Sequence, residues 1–322
     1  ITLNFCSVKY IMKIRIDKKE EGKRVDTFLS EILKDKGVSI SRSILQKYIQ
    51  NGCIVNGRSC KKGYRLKEGD IVEINEEYWE ELKKGLDLSD EIIPQKGKLD
   101  IRYEDKNFLV LYKPKGLVMH PGVGNKKDTL ANYVRYYLES KGEYDDLVDR
   151  AGIVHRLDKG VSGLVVIGKN KESQEFLKRE FKNRKVIKIY HAVLEEYTNI
   201  EQKFDLKEYV RKMNIKIKPW RGWKKVEGYI GRSKTDRYKM EFKGYEFPGS
   251  KYALSYILFG GNEAIIKIET GRMHQIRATL NYLGYHIKGD SLYGRGSGDN
   301  IMLEAVLLSF RDMNGKRLVF TC

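Results

Sequence analysis

Residues 152–169, Gly-Ile-Val-His-Arg-Leu-Asp-Lys-Gly-Val-Ser-Gly-Leu-Val-Val-Ile-Gly-Lys, constrain the fold more tightly than any other stretch of the chain. An apolar start, Ile153-Val154, enters a short polar turn, and Leu164–Ile167 then reads as a strand bounded by glycines. The turn holds one carboxylate, Asp158, with His155, Arg156 and Lys159 close in sequence. Cations crowding a carboxylate favour its ionised form, which suits a nucleophile better than a proton donor. A solvated, salt-bridged turn has the same local pattern, so these residues alone leave both readings open.

His155-Arg156-Leu157-Asp158, with Ser162-Gly163-Leu164 following, resembles the signature of the RluA/RluD-type RNA pseudouridine synthases. Gly160 stands where that family usually has an acidic or polar residue, and Val161 where it usually has Thr; neither replaces the carboxylate. Further blocks carry the resemblance over nearly the whole chain. Phe108–Leu111 running into Lys113-Pro114-Lys115-Gly116 and His120-Pro121-Gly122 is similar to a strand and loop that border the family's cleft. Lys188, Tyr190 and Ala192, in a strand read over 186–193, match its Lys-x-Tyr-x-Ala pattern. Glu269-Thr270-Gly271-Arg272-Met273-His274-Gln275-Ile276-Arg277 matches a third block, with Met273 in place of Thr or Ser, and Gly289–Gly294 extends it. Leu303–Phe310 resembles the last block, with Glu304 where His is frequent; family chains usually run somewhat past it, so a further strand or helix is expected after Cys322.

The resemblance implies roles. Asp158 is the expected nucleophile, Arg277 its expected bidentate partner, and Tyr190 the residue that stacks on the target base and takes its proton. Leu157 or Leu308 would exclude water, while Arg156 or His155 would fill the gap left by an extruded base. Lys113, Lys188, Arg272 and His274 are assigned to RNA contact, as are Lys178 and Lys182 on a helix read over 171–184; a solvated basic face is the alternative for that helix. The implied fold is α+β, a long mixed and mostly antiparallel sheet with flanking helices and a cleft across its centre. Whether Asp158 attacks C1′, attacks C6 or works through elimination stays open.

Residues 13–75 read as a separate small module. Val25, Phe28, Leu29, Ile32 and Leu33 recur at helical spacing, and a second helix is marked by Ser39 or Ser41, Ile44, Leu45, Tyr48, Ile49 and Gly52. Asn56-Gly57 signals a hairpin before the alternating strand Ile71–Ile74. Arg24-Val25-Asp26, Ser41-Arg42-Ser43, Val55-Asn56-Gly57 and Glu68-Gly69-Asp70 resemble the S4 RNA-binding domain, which implies RNA contact through Arg42, Lys47 and Arg58. Residues 76–99 form an acidic linker broken by Pro94 and Gly97, and residues 100–322 the catalytic domain. Residues 1–12 are read as an extension before the family-like start at Met12.

Charge agrees with an RNA partner: 62 Lys+Arg against 44 Asp+Glu leave +18, which favours nucleic acid first and an anionic membrane second. No apolar run approaches the roughly 18 residues of a membrane-spanning helix, so no integral membrane role is expected. The 4 cysteines, Cys6, Cys53, Cys60 and Cys322, have no CxxC pair or zinc spacing and read as reduced thiols of a cytoplasmic protein. No phosphate loop or dinucleotide fingerprint is present, so no cofactor or metal is expected, and a monomer is the default. A zinc-dependent deaminase lacks its ligands here. The opposing reading is an S4-bearing binding or ribosome-assembly factor with an inactive catalytic-like domain, which Gly160, Val161, Met273 and Glu304 keep open.

Overall fold

The computed structural model describes residues 10–35, 45–46, 49, 53–61, 63–75, 92–122, 125–196, 222–296 and 300–322. The chain divides into two compact units, Ile1–Glu91 and Ile92–Cys322.

In the first unit, β1 (Tyr10–Arg15), α1 (Val25–Asp35), β2 (Cys53–Val55), β3 (Arg58–Ser59) and β4 (Ile71–Asn75) build a four-stranded antiparallel sheet in the order β1-β4-β2-β3 with α1 against it. The first strand thus begins inside the stretch read as an extension. Val25, Phe28, Leu29 and Leu33 project from one face of α1 and are buried with Leu45, Ile49, Leu66 and Val72. Asn56 and Gly57 take φ of 52° and 74°, the type I′ geometry that joins β2 to β3 with only two residues. Buried Asp70 accepts from Asn56 Nδ2 at 2.8 Å, Tyr64 Oη at 2.9 Å and Lys67 N at 2.8 Å, so the turn before β4 is fixed. Arg58 is exposed on β3; Arg42 and Lys47 lie outside the described residues.

The second unit contains β5 (Asp100–Glu104), β6 (Phe108–Lys113), α2 (Leu130–Ser140), β7 (Ser162–Gly168), α3 (Lys171–Lys182), β8 (Ile187–Val193), β9 (Lys224–Arg232), β10 (Met240–Lys243), β11 (Lys251–Gly260), β12 (Glu263–Ile268), α4 (Gln275–Tyr282), β13 (Leu303–Arg311) and β14 (Arg317–Thr321). Among the described residues its strands form one ten-stranded sheet, β10-β9-β11-β12-β8-β13-β7-β6-β5, with β14 also on β13. Only the β13–β7 contact is parallel, so the sheet is mixed and mostly antiparallel, as expected. Ile92 and Leu99, read as linker, pack on this unit's core, and Asn132 Nδ2 donates to Ile93 O at 2.7 Å.

Every residue of β7 is buried. Leu109, Val165 and Ile167 pack on one side with α2, while Phe108, Val110, Leu164 and Val166 pack on the other with Leu177 of α3. A strand covered on both faces reads as a continuous apolar run, which is what Leu164–Ile167 supplies. Both helices begin with reciprocal capping boxes, Thr129 with Asn132 and Asn170 with Ser173. At Gly163 the chain needs glycine: φ is 123°, and a Cβ would lie 2.5 Å from the backbone N and O of Ala305. That close approach lets β13 enter the sheet beside β7 directly after the Asp158 turn.

Candidate active site

Asp158 lies in the turn before β7, between buried Leu157 and exposed Lys159. The turn is held from beneath by Lys113 at the end of β6. Its Nζ donates to Pro114 O at 2.8 Å, Leu117 O at 2.8 Å and Lys159 O at 3.2 Å, and Gly116 N donates to Lys159 O at 2.8 Å. Burial lowers the Lys113 pKa to about 8, with the Asp158 charge opposing the shift. The sequence assigned Lys113 to RNA contact; with 0% exposure it is instead a brace for the Asp158 turn.

The Asp158 side chain is 21% exposed and meets two cation-capable groups, Arg277 Nη1 at 3.5 Å and His274 Nε2 at 3.8 Å, both on Oδ2. Arg277 was expected to fork onto Asp158. Its fork belongs to Asp290, with Nε to Oδ2 and Nη2 to Oδ1 both at 2.8 Å. The reason is burial: Asp290 is fully buried and needs a bidentate cation, whereas Asp158 is partly solvated at the cleft. Asp290 also accepts from Leu292 N and Tyr293 N, each at 3.0 Å. Its burial works against ionisation, but the Arg277 hydrogen bonds and charge hold it below the usual carboxylate range.

Tyr293 closes the cluster. Its hydroxyl accepts from Met240 N at 2.6 Å and lies 3.1 Å from His274 Nδ1, and its ring centroid is 5.0 Å from the Arg277 guanidinium. His274 caps α4 in the left-handed conformation, φ 53°. Burial lowers its pKa, with Asp158 opposing, so neutral imidazole is favoured near pH 7. Tyr190 on β8 is 7% exposed, opposite Ile266 of β12 and Ala305 of β13. Burial first, and the Asp158 charge second, raise its pKa, so the phenol keeps its proton.

These groups line a cleft of about 630 Å³ that brings together His155, Arg156, Leu157, Asp158, Lys182, Lys188, Tyr190, Arg272, His274 and Arg277 from the expected set. His155 is tied down: Nε2 accepts from Val166 N at 3.0 Å and the ring stacks on Phe181 at 4.8 Å. Burial, then the charge of Lys188, push its pKa down to about 3. His155 thus supports the turn, while Arg156 is exposed at the cleft. Lys178 does not line the cleft; it pairs with Asp149 at 3.0 Å and Glu175 at 2.8 Å. Leu308 is not a cleft residue either. After a bulge between Ala305 and Leu307 it joins Phe108, Val110, Leu164 and Phe310, and Leu303 lines the cleft instead.

The sequence reading missed Asp290 and Tyr293, although both stand in the Gly289–Gly294 block. No local signal marks Asp290 as buried; its burial and its pairing with Arg277 are set by the fold. The departures from the family pattern leave the cluster intact. Val161 packs in the core, Met273 lines the cleft, and Glu304 accepts from Tyr112 Oη at 2.7 Å. The result is a partly solvated carboxylate beside an aromatic wall, apolar cover from Leu157 and Leu303, and a cationic rim of Arg156, Lys182 and Lys188. Such a pocket accepts one flat heterocycle attached to a phosphate backbone.

A family model described as RNA pseudouridylate synthase matches residues 107–282, and an S4 domain model matches residues 23–72. Ribosomal large subunit pseudouridine synthase D of Borreliella burgdorferi is 33% identical over 223 residues, covering 68% of this chain and 61% of that protein, less than two thirds of its length. An uncharacterized RNA pseudouridine synthase of Aquifex aeolicus is 32% identical, covering 89% of this chain and 81% of its own length. Ribosomal large subunit pseudouridine synthase D of Yersinia pestis is 30% identical, covering 90% and 79%. The model that spans the Asp158 turn, β8 and α4, together with these nearly full-chain alignments, means that the chain belongs to the RNA pseudouridylate synthase family and carries an S4 domain in the sequence ahead of the family match.

Proposed function

We propose that this chain isomerises specific uridines of large-subunit ribosomal RNA to pseudouridine in the cytoplasm, with Asp158 as the catalytic nucleophile. The reaction breaks the C1′–N1 bond, turns the uracil in the cleft and forms C1′–C5; the C5 proton leaves and N1 gains one, so no co-reactant is consumed. Asp158 supplies the anionic oxygen that attacks the nucleoside or stabilises the charge at C1′. Arg277, fixed by Asp290, keeps a positive charge beside that oxygen through each step, and Tyr190 stacks on the uracil while it is detached.

The observation that carries this reading is the division of labour between the two aspartates. Asp290 absorbs the Arg277 fork, and among the described residues the Asp158 side chain keeps only long contacts on one oxygen, so it is not locked in a close ion pair. Ribosomal RNA as substrate is supported by the names of the Borreliella and Yersinia relatives and by the net charge of +18. Asp158→Asn is expected to abolish pseudouridine formation while RNA affinity stays within about threefold. Mass-spectrometric mapping of ribosomal and transfer RNA, from cells with and without the gene, names the site; full activity of the variant would remove Asp158 from the mechanism.

A further inference from the structure

The turn joining β9 to β10, residues 233–239, plays no part in the chemistry above, yet it is built as a rigid tip. Lys239 N donates to Asp236 O and Ser233 N to Lys239 O, both at 3.1 Å. Asp236 Oδ1 accepts from Tyr238 N at 2.9 Å, and Arg232 Nη1 donates to Arg237 O at 3.0 Å. On this braced tip Tyr238 is 62% exposed, with the Arg237 guanidinium 4.8 Å from its ring centroid. Arg232, Lys234 and Arg237 are exposed, and the lone carboxylate of the turn, Asp236, is occupied by the backbone. An exposed aromatic ring costs free energy in water, and a braced one loses little further freedom on binding.

The tip is also wired to the reacting centre. Met240, which follows it, donates its N–H to the Tyr293 hydroxyl and accepts from that hydroxyl with its C=O; the hydroxyl also lies beside His274 Nδ1, and the Tyr293 ring lies by the Arg277 guanidinium. Lys239 Nζ lies 5.8 Å from the Tyr293 ring centroid. A nucleotide extruded into the Asp158 cleft leaves neighbours that have lost a stacking partner, and a cation-backed tyrosine one residue before Lys239 and two before Met240, both in contact with Tyr293, answers that loss.

We propose that Tyr238, backed by Arg237, is a stacking platform for an unpaired base of the substrate RNA beside the extruded uridine. The proposal rests on the RNA-modifying reading of the cleft. Unpaired RNA is favoured over a protein partner because the tip sets one ring among four cations, Arg232, Lys234, Arg237 and Lys239, and offers no apolar patch.

The test uses the full chain and two probes, a single-stranded 12-mer oligouridylate carrying 4-thiouridine and a duplex RNA of equal length. Photocrosslinking followed by peptide mass spectrometry is expected to place a crosslink on the peptide containing Tyr238. Tyr238→Ala should weaken single-strand binding about tenfold and leave the duplex unchanged, and Tyr238→Phe should bind like the parent. Crosslinks confined to other peptides would overturn the proposal, as would equal losses on both probes or an affinity untouched by Tyr238→Ala; the last leaves the tip to a protein partner. If pseudouridine maps show no lost site while the Tyr238 crosslink forms, the reading of the activity fails and the platform stands.

Discussion

Burial pushes the Lys188 ammonium down to about 8, with Glu269 opposing, so the cleft loses a positive charge as pH climbs through that value. Below it the side chain is charged and attracts phosphate; above it the amine is neutral. RNA binding to the parent is therefore expected to weaken between pH 7 and 9, appearing as a rising KM. In Lys188→Arg the guanidinium stays charged throughout and the KM profile should be flat. A parent profile that is already flat would place Lys188 outside the RNA path. At Asp290 the expected effect is on stability. Asp290→Asn leaves the Arg277 charge, 8% exposed, without its fork partner, and such a loss costs about 3 kcal/mol, or about 10 °C in Tm for a unit of this size. The sign with pH follows from the lowered pKa: the contribution is complete above the ordinary carboxylate value near 3.8 and fades below it. The Tm gap between parent and variant should thus narrow from pH 6 to pH 3. A gap below about 1 kcal/mol at pH 6 would mean that Arg277 turns fully onto Asp158.

Among the elements, the junction of β7 with β13 is the most demanding. Gly163→Ala would drive a methyl group into the Ala305 backbone at 2.5 Å, where no side-chain rotation relieves it. The expected result is a loss of at least about 3 kcal/mol and a sharp fall in soluble yield, read by thermal melting; a melting point within about 2 °C of the parent would show that β13 can shift. Much of this architecture is legible beforehand. The apolar run Leu164–Ile167, the i, i+4 series Leu130, Val134, Leu138 and the Asn56-Gly57 turn each carry their own local physics, and the structure realises all three. What the sequence hides is register. Nothing local says that β13 bulges between Ala305 and Leu307, and that slip sends Leu308 to a different cluster and leaves Leu303 at the cleft. Lys113 was assigned to RNA, and the Arg277 fork to Asp158, for a related reason: composition marks a charge but not its burial. The carboxylate and the aromatic wall were readable because the motif residues are consecutive or alternate; the Asp290–Tyr293 support was not, because a fold contact sets it.

For the whole molecule, charge is the quantity that unites the two units. Each carries its own exposed cations, and +18 over the chain implies that RNA affinity is largely counterion release. In the first unit Arg58 and Lys61 are exposed on and beside the β2–β3 hairpin, in the S4 domain. If that unit grips phosphate, the double variant Arg58→Gln/Lys61→Gln should lower RNA affinity at every sequence alike. The slope of log K against log salt should then fall in magnitude by between about one and two. Turnover at saturating RNA should not change if the first unit only raises the local concentration of substrate. An unchanged slope would mean that the hairpin cations face solvent in the complex and that the grip comes from the cleft rim, where Arg156, Lys182 and Lys188 would then account for the salt dependence. A slope that falls together with kcat would instead show that the first unit helps to position the target uridine and does more than raise its local concentration.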